Sequence, residues 1–169
     1  FDDRYEPNYS AVNVGEAKPL TQDTYQPRGN TALLDAMGKT IVTTGERLKA
    51  LPETERPGKV IFVVITDGHE NASKEWTKAK LRPIVEQQTK AYKWDFVFLG
   101  ANMDAIGEAG SVGFRAANAM TYDHSAKGIG RAYASLSCNV ANVRTGTAAS
   151  AAFTDEDRKQ QAGLLGSNS

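Results

Sequence analysis

The chain has 169 residues, and its 20 Lys+Arg balance its 20 Asp+Glu, so the formal net charge is zero. That length fits one domain with a real core, and the balanced charge argues against a nucleic-acid binder, which carries a basic excess. No apolar run reaches the length of a membrane span and no signal-peptide pattern opens the chain, so the expectation is a cytoplasmic protein without a membrane partner.

The first residues, Phe1-Asp2-Asp3-Arg4-Tyr5, read as the tail of a strand, and the expectation is that some segment precedes them. A turn at Glu6-Pro7-Asn8 and a return strand over 9–14 would complete a hairpin. A polar loop runs to Pro27, and Arg28-Gly29-Asn30-Thr31 leads into a helix over 32–51, whose Leu34, Met37, Ile41 and Leu48 share one face. Pro52 ends it.

Next comes the most informative stretch, Val60-Ile61-Phe62-Val63-Val64-Ile65-Thr66-Asp67-Gly68. An unbroken apolar run, mostly β-branched, predicts a strand buried on both faces, the habit of parallel sheets. Asp67 stands where the strand stops, and ligands of open α/β sheets bind outside the carboxyl ends of the strands. Asp-Gly is also a common turn pair, so Asp67 has both a ligand reading and a turn reading.

A polar loop over 69–76 precedes a helix over 77–92 carrying Leu81, Ile84, Val85 and Tyr92 on one side. Pro83 is comfortable only in a first turn, which predicts a regular helix from about Arg82. A second buried strand spans 95–99 and closes at Gly100-Ala101-Asn102. Asp104 is placed to cap a short helix to Gly110, and a weak strand is expected within 115–121. Ser125 opens a helix with Ile129, Tyr133, Leu136, Val140 and Val143 at helical spacing. The single cysteine, Cys138, lies in that helix and reads as a half-buried structural thiol rather than a nucleophile. Residues 144–169 read as a flexible tail, with a short helical turn over 154–161. Trp76 and Trp94 flank a helix and are read as packing residues. His124 carries no signal of its own.

Strands alternating with helices and ending in glycines predict an α/β fold, with a mostly parallel sheet between helical layers. Three polar clusters then fall on one edge: Gly29-Asn30-Thr31, Thr66-Asp67-Gly68 and Gly100-Ala101-Asn102.

These clusters carry a resemblance. Gly29-Asn30-Thr31-Ala32-Leu33-Leu34-Asp35-Ala36, Ile65-Thr66-Asp67-Gly68 and Phe98-Leu99-Gly100-Ala101-Asn102, in this order and spacing, resemble a von Willebrand factor A domain of the compact bacterial or phage type. The resemblance spans residues 1–143. It implies a Rossmann-like three-layer sandwich with one antiparallel edge strand, which the N-terminal hairpin suits. It also implies a metal-ion-dependent adhesion site, in which Thr31 and Asp67 match the family's Thr and Asp ligands. The family's Asp-x-Ser-x-Ser segment has no match here, so the chain resembles the domain without its first strand and first helix. The strand 60–66 is then expected to show an unpaired apolar edge.

The implied function is a protein-binding module. Its partial site would hold Mg²⁺ or Mn²⁺ and, through the ion, a carboxylate of a protein partner. Asn30, Gly68, His69 and Glu70 are the expected rim. Mg²⁺ prefers oxygen ligands and keeps several waters, so one hydroxyl and one carboxylate suit it but bind it weakly. Without the resemblance, the favoured reading of Thr31 is the cap of the following helix. The alternative is a Mg²⁺-dependent phosphoryl-transfer or nucleotide-binding enzyme. The sequence contains neither a Gly-x-x-x-x-Gly-Lys-[Ser/Thr] loop nor a Gly-x-Gly-x-x-Gly turn nor a Gly-x-Ser-x-Gly elbow, so a non-enzymatic binding module is the favoured expectation.

Overall fold

A computed structural model describes residues 2, 4–25 and 29–165. The fold is α/β, a Rossmann-like sandwich with a three-stranded, all-parallel sheet between two helical layers. The strands are β1 (Ile61–Thr66), β2 (Asp95–Ala101) and β3 (Ala119–Tyr122), adjacent in chain order. The helices are α1 (Leu33–Ala50), α2 (Lys78–Tyr92), α3 (Ala105–Ser111), α4 (Ala126–Thr145) and α5 (Asp155–Leu165).

β2 is the central strand and is buried along its whole length. Val63 pairs with Val97 and Ile65 with Leu99 across β1 and β2. Side chains of successive strand residues point to opposite faces. Even-numbered residues Phe62, Val64, Phe96 and Phe98 meet α1, α2 and α3. Odd-numbered Ile61, Val63, Ile65, Val97 and Leu99 meet α4 and the C-terminal segment. The first core is aromatic at one end, with the Phe96 ring 4.9 Å from Phe114 and 5.5 Å from Phe62. Trp76 lies across α1 at Gly38, where an added Cβ would stand 2.1 Å from the indole, so only glycine admits that contact.

Several expectations are corrected. Among the described residues there is no antiparallel edge strand: residues 4–25 contain no strand, while Phe1 and Asp3 lie outside the described residues. An isolated two-stranded ribbon is marginal in water, and here no strand neighbours it. Instead Asp2 accepts a hydrogen bond from the Ala32 amide, and the Thr40 hydroxyl donates to Tyr5.

The helix carrying Pro83 begins at Lys78, not near Arg82, with Thr77 as its side-chain cap. Pro83 removes only the bond to the Ala79 carbonyl, and both residues are exposed, so water replaces the missing donor. Cys138 is exposed rather than half-buried.

The segment expected to be a loose tail is packed over its described length. Ala151, Phe153 and Gln161 are buried. The Arg158 guanidinium donates to the carbonyls of Phe153, Ala117 and Ala119, and Gln161 bridges the Gly128 carbonyl and the Asp123 amide. Residues 166–169 lie outside the described residues. Among the described residues, no helix is long and apolar enough to cross a membrane.

Candidate functional site

Parallel strands send all their carboxyl ends to one edge, and the sequence-predicted residues gather there. Thr66 closes β1 by a local turn: its hydroxyl donates to the Gly68 carbonyl at 2.9 Å and accepts from the Gly68 amide at 3.3 Å. The turn throws Asp67 outward, and its side chain is 72% exposed.

Thr31 reaches the same point from the start of α1. Its amide donates to Asn71 Oδ1 at 2.8 Å, and its carbonyl accepts from the Asn71 amide at 3.0 Å. This double link fixes Thr31 beside the β1 turn. An added Cβ on Gly68 would lie 2.8 Å from Thr31 Oγ1, so the glycine gives the hydroxyl room against the Asp67-Gly68 backbone. Thr31 is not the cap of α1. The N-cap position is Ala32, which supplies no side-chain bond.

The cap comes from elsewhere. Glu70 Oε2 accepts from the Leu34 amide at 2.9 Å, and Ser73 Oγ accepts from the Asp35 amide at 3.0 Å. Glu70 also takes the Ala72 and Ser73 amides and the Ser73 hydroxyl. Asp35 reciprocates by accepting the amides of Lys74, Glu75 and Trp76 at 2.8–3.0 Å. Burial alone would push the Glu70 and Asp35 carboxyls up, yet the amide and hydroxyl donors outweigh it and hold both below the usual carboxylate range. Glu70 is therefore a helix cap and loop clasp, fully engaged within the chain, rather than the free rim residue expected. Asn30 and His69 are exposed beside Thr31 and Gly68, and Gly68 is half-buried.

The sequence did not point to His124. It follows β3, and its Nε2 lies 3.8 Å from Asp67 Oδ2. Tyr122 lies below them, buried, with its phenol pushed up to about 12 chiefly by burial and further by Tyr133, Asp67 and Tyr25. The Tyr122 hydroxyl is accordingly a neutral donor at all physiological pH. Only the order β1-β2-β3 brings His124 to Asp67, so no local signal could have found it. Asn102, after β2, is exposed with a left-handed φ of 49° and donates its amide to the Tyr122 carbonyl at 3.0 Å. It orders the edge rather than reaching the Thr31–Asp67 pair.

The donor set is thus one hydroxyl and one carboxylate, with an imidazole adjacent. No group of three His, Cys, Asp or Glu side chains that could hold a metal is found among the described residues. The residues present suit a hard cation, at low affinity, with most of its shell left to water or to another molecule. No family model matches this chain, and no curated protein or solved structure matches it.

Proposed function

We propose that the chain is a protein-binding module whose carboxyl-edge crevice holds Mg²⁺ or Mn²⁺ between Thr31 Oγ1 and the Asp67 carboxylate. The observation that carries this reading is the arrangement of that pair. Thr31 is held against Gly68 by two hydrogen bonds to Asn71, while the adjacent Asp67 carboxylate stands exposed. The neighbouring carboxylates Glu70 and Asp35 are instead engaged by backbone amides. The resemblance to the von Willebrand factor A site supports the same two ligands. When bound, the cation supplies a positive charge and open coordination positions, and an acidic side chain of a protein partner is the ligand suited to them. Asn30, Gly68 and His69 form the rim that such a partner meets. A cytoplasmic location belongs to this reading.

Calorimetric titration with Mg²⁺ tests it. The chain should bind weakly, Asp67→Ala should abolish the heat, and the melting curve should not move. Equal affinity in the two proteins would make Asp67 a turn residue and end the proposal. Hydrolysis of a generic phosphate ester with Mg²⁺ is expected to stay at the free-metal background. Turnover above that background would favour the enzymatic alternative.

A further inference from the structure

A groove of about 620 Å³ opens between the carboxyl-terminal halves of α1 and α2, at the amino edge of the sheet and opposite the Thr31–Asp67 crevice. Its lining comes from residues within 42–60 and 84–94, so no segment before residue 42 takes part. The volume is that of a small-molecule site, about 300–1,000 Å³. Val42, Leu48 and Ile84 line it and stay half-buried, and the buried Trp94 lines it as well. The Trp94 indole N–H has no acceptor among the described residues, whereas a buried indole usually finds one.

The groove is also charged. Exposed Lys49, Arg56 and Lys59 line it against one acid, Glu46. None of these four forms an ion pair among the described residues. Arg56 donates to the Leu51 and Lys49 carbonyls, and Lys59 to the Val143 carbonyl. Those bonds hold the two cations in place and leave their charge uncompensated. Arg56 thereby covers the last carbonyls of α1, which offsets the negative end of that helix.

We infer that this groove binds a small amphipathic anion, a carboxylic acid with an apolar body. The body lies against Val42, Leu48, Ile84 and Trp94, and the carboxylate meets Lys49, Arg56 and Lys59. Charge complementarity selects this occupant. A neutral apolar ligand leaves the three cations without a counter-charge, and a cationic one is repelled. This site is separate from the cation crevice, which lies at the other edge of the sheet.

The test uses the whole chain in EDTA, so that no cation at the carboxyl edge captures the probe. The probe is decanoate below its micellar concentration. Calorimetry should show one saturable site, and decyltrimethylammonium should bind about tenfold more weakly. Of the two indole N–H resonances, that of Trp94 should shift and that of Trp76 should stay. Lys49→Glu should weaken decanoate binding about fivefold. Gly45 lines the groove, and an added Cβ there meets only Gln88 Nε2, at 3.6 Å. Gly45→Trp should therefore fold, as its melting curve will report, and should abolish binding by filling the space. Absence of saturable binding, equal affinity for the two amphiphiles, or decanoate binding that survives Gly45→Trp would each overturn the inference. A dimer in sedimentation that Gly45→Trp dissociates would give the groove to a second copy, and would overturn it too.

Discussion

Asp67 and Asp95 flank apolar strands that lie side by side, yet they have opposite fates. Asp95 opens β2 at the amino edge of the sheet and is buried. Its carboxylate accepts from Arg115 at 2.6 Å, Asn118 at 2.7 Å, Ser150 at 2.9 Å and the Ala151 amide at 2.6 Å. Asp67 follows β1 at the carboxyl edge, exposed, with His124 Nε2 3.8 Å from its Oδ2. A buried carboxylate must be satisfied by the chain itself, and here it ties the segment after α4 to the sheet. An exposed one on a rigid strand end is left for solvent, a cation or a partner. Burial and engagement, rather than residue type, separate the structural acid from the candidate ligand.

The comparison breaks most visibly at Asp95. Asp95→Ala leaves the Ala151 amide without its acceptor in a buried place and takes one of two acceptors from Asn118 Nδ2, which keeps the Phe96 carbonyl. A loss of about 3 kcal/mol is expected in urea unfolding, with release of the C-terminal segment as its sign. Limited proteolysis after residue 146 should report that release. A loss below about 1 kcal/mol would mean that the cluster does not anchor the segment.

Glu70 sharpens the comparison because it lies only three residues from Asp67 and is engaged like Asp95. Glu70→Ala should cost about 2 kcal/mol through the lost cap of α1 and the loosened 70–76 loop. Its linkage to pH has a definite sign. Glu70 and Asp35 titrate below their ordinary values of 4.5 and 3.8. Their contribution is fully present above those values and is lost as pH falls through the lower folded ones. Unfolding free energy should therefore drop on acidification below about pH 5, and Glu70→Gln should flatten that slope. An unchanged slope would remove Glu70 from the loop's support.

A smaller effect is expected at Gly68. Gly68→Ala puts a methyl group 2.8 Å from Thr31 Oγ1, so the hydroxyl must shift. Stability should fall by about 1 kcal/mol or less, while Mg²⁺ affinity falls several-fold. Unaltered binding would take Thr31 out of the site. Smallest of all is Asp67→Ala, expected within about 0.5 kcal/mol of the parent in stability, in contrast to Asp95→Ala on the neighbouring strand.

The strands at 60–66 and 95–99 were legible because six and four consecutive apolar residues ending in polar turns have few alternatives. The caps Asp104 and Ser125 were legible too, and both accept the expected amide, from Gly107 and Gly128. Thr31 beside the β1 turn was expected from the resemblance rather than from strand order, since no described strand precedes it. Glu70 was misread because its partners, Leu34 and the 72–73 amides, include a helix start far away in sequence. The packed segment after residue 146 was misread because its Ala- and Ser-rich composition looks like a linker, whereas Ala151 and Phe153 are buried in the core beneath the sheet.

Local chemistry by itself determined the two buried strands, the helices between them and the polar character of the carboxyl edge, because periodicity, caps and turn residues act over a few positions. Tertiary structure alone decided which carboxylates are engaged by backbone amides and which stands exposed, and why His124 meets Asp67. These depend on strand order and on partners distant in the chain, and a long-range hydrogen bond has no signature in sequence until the sheet has brought its partners together.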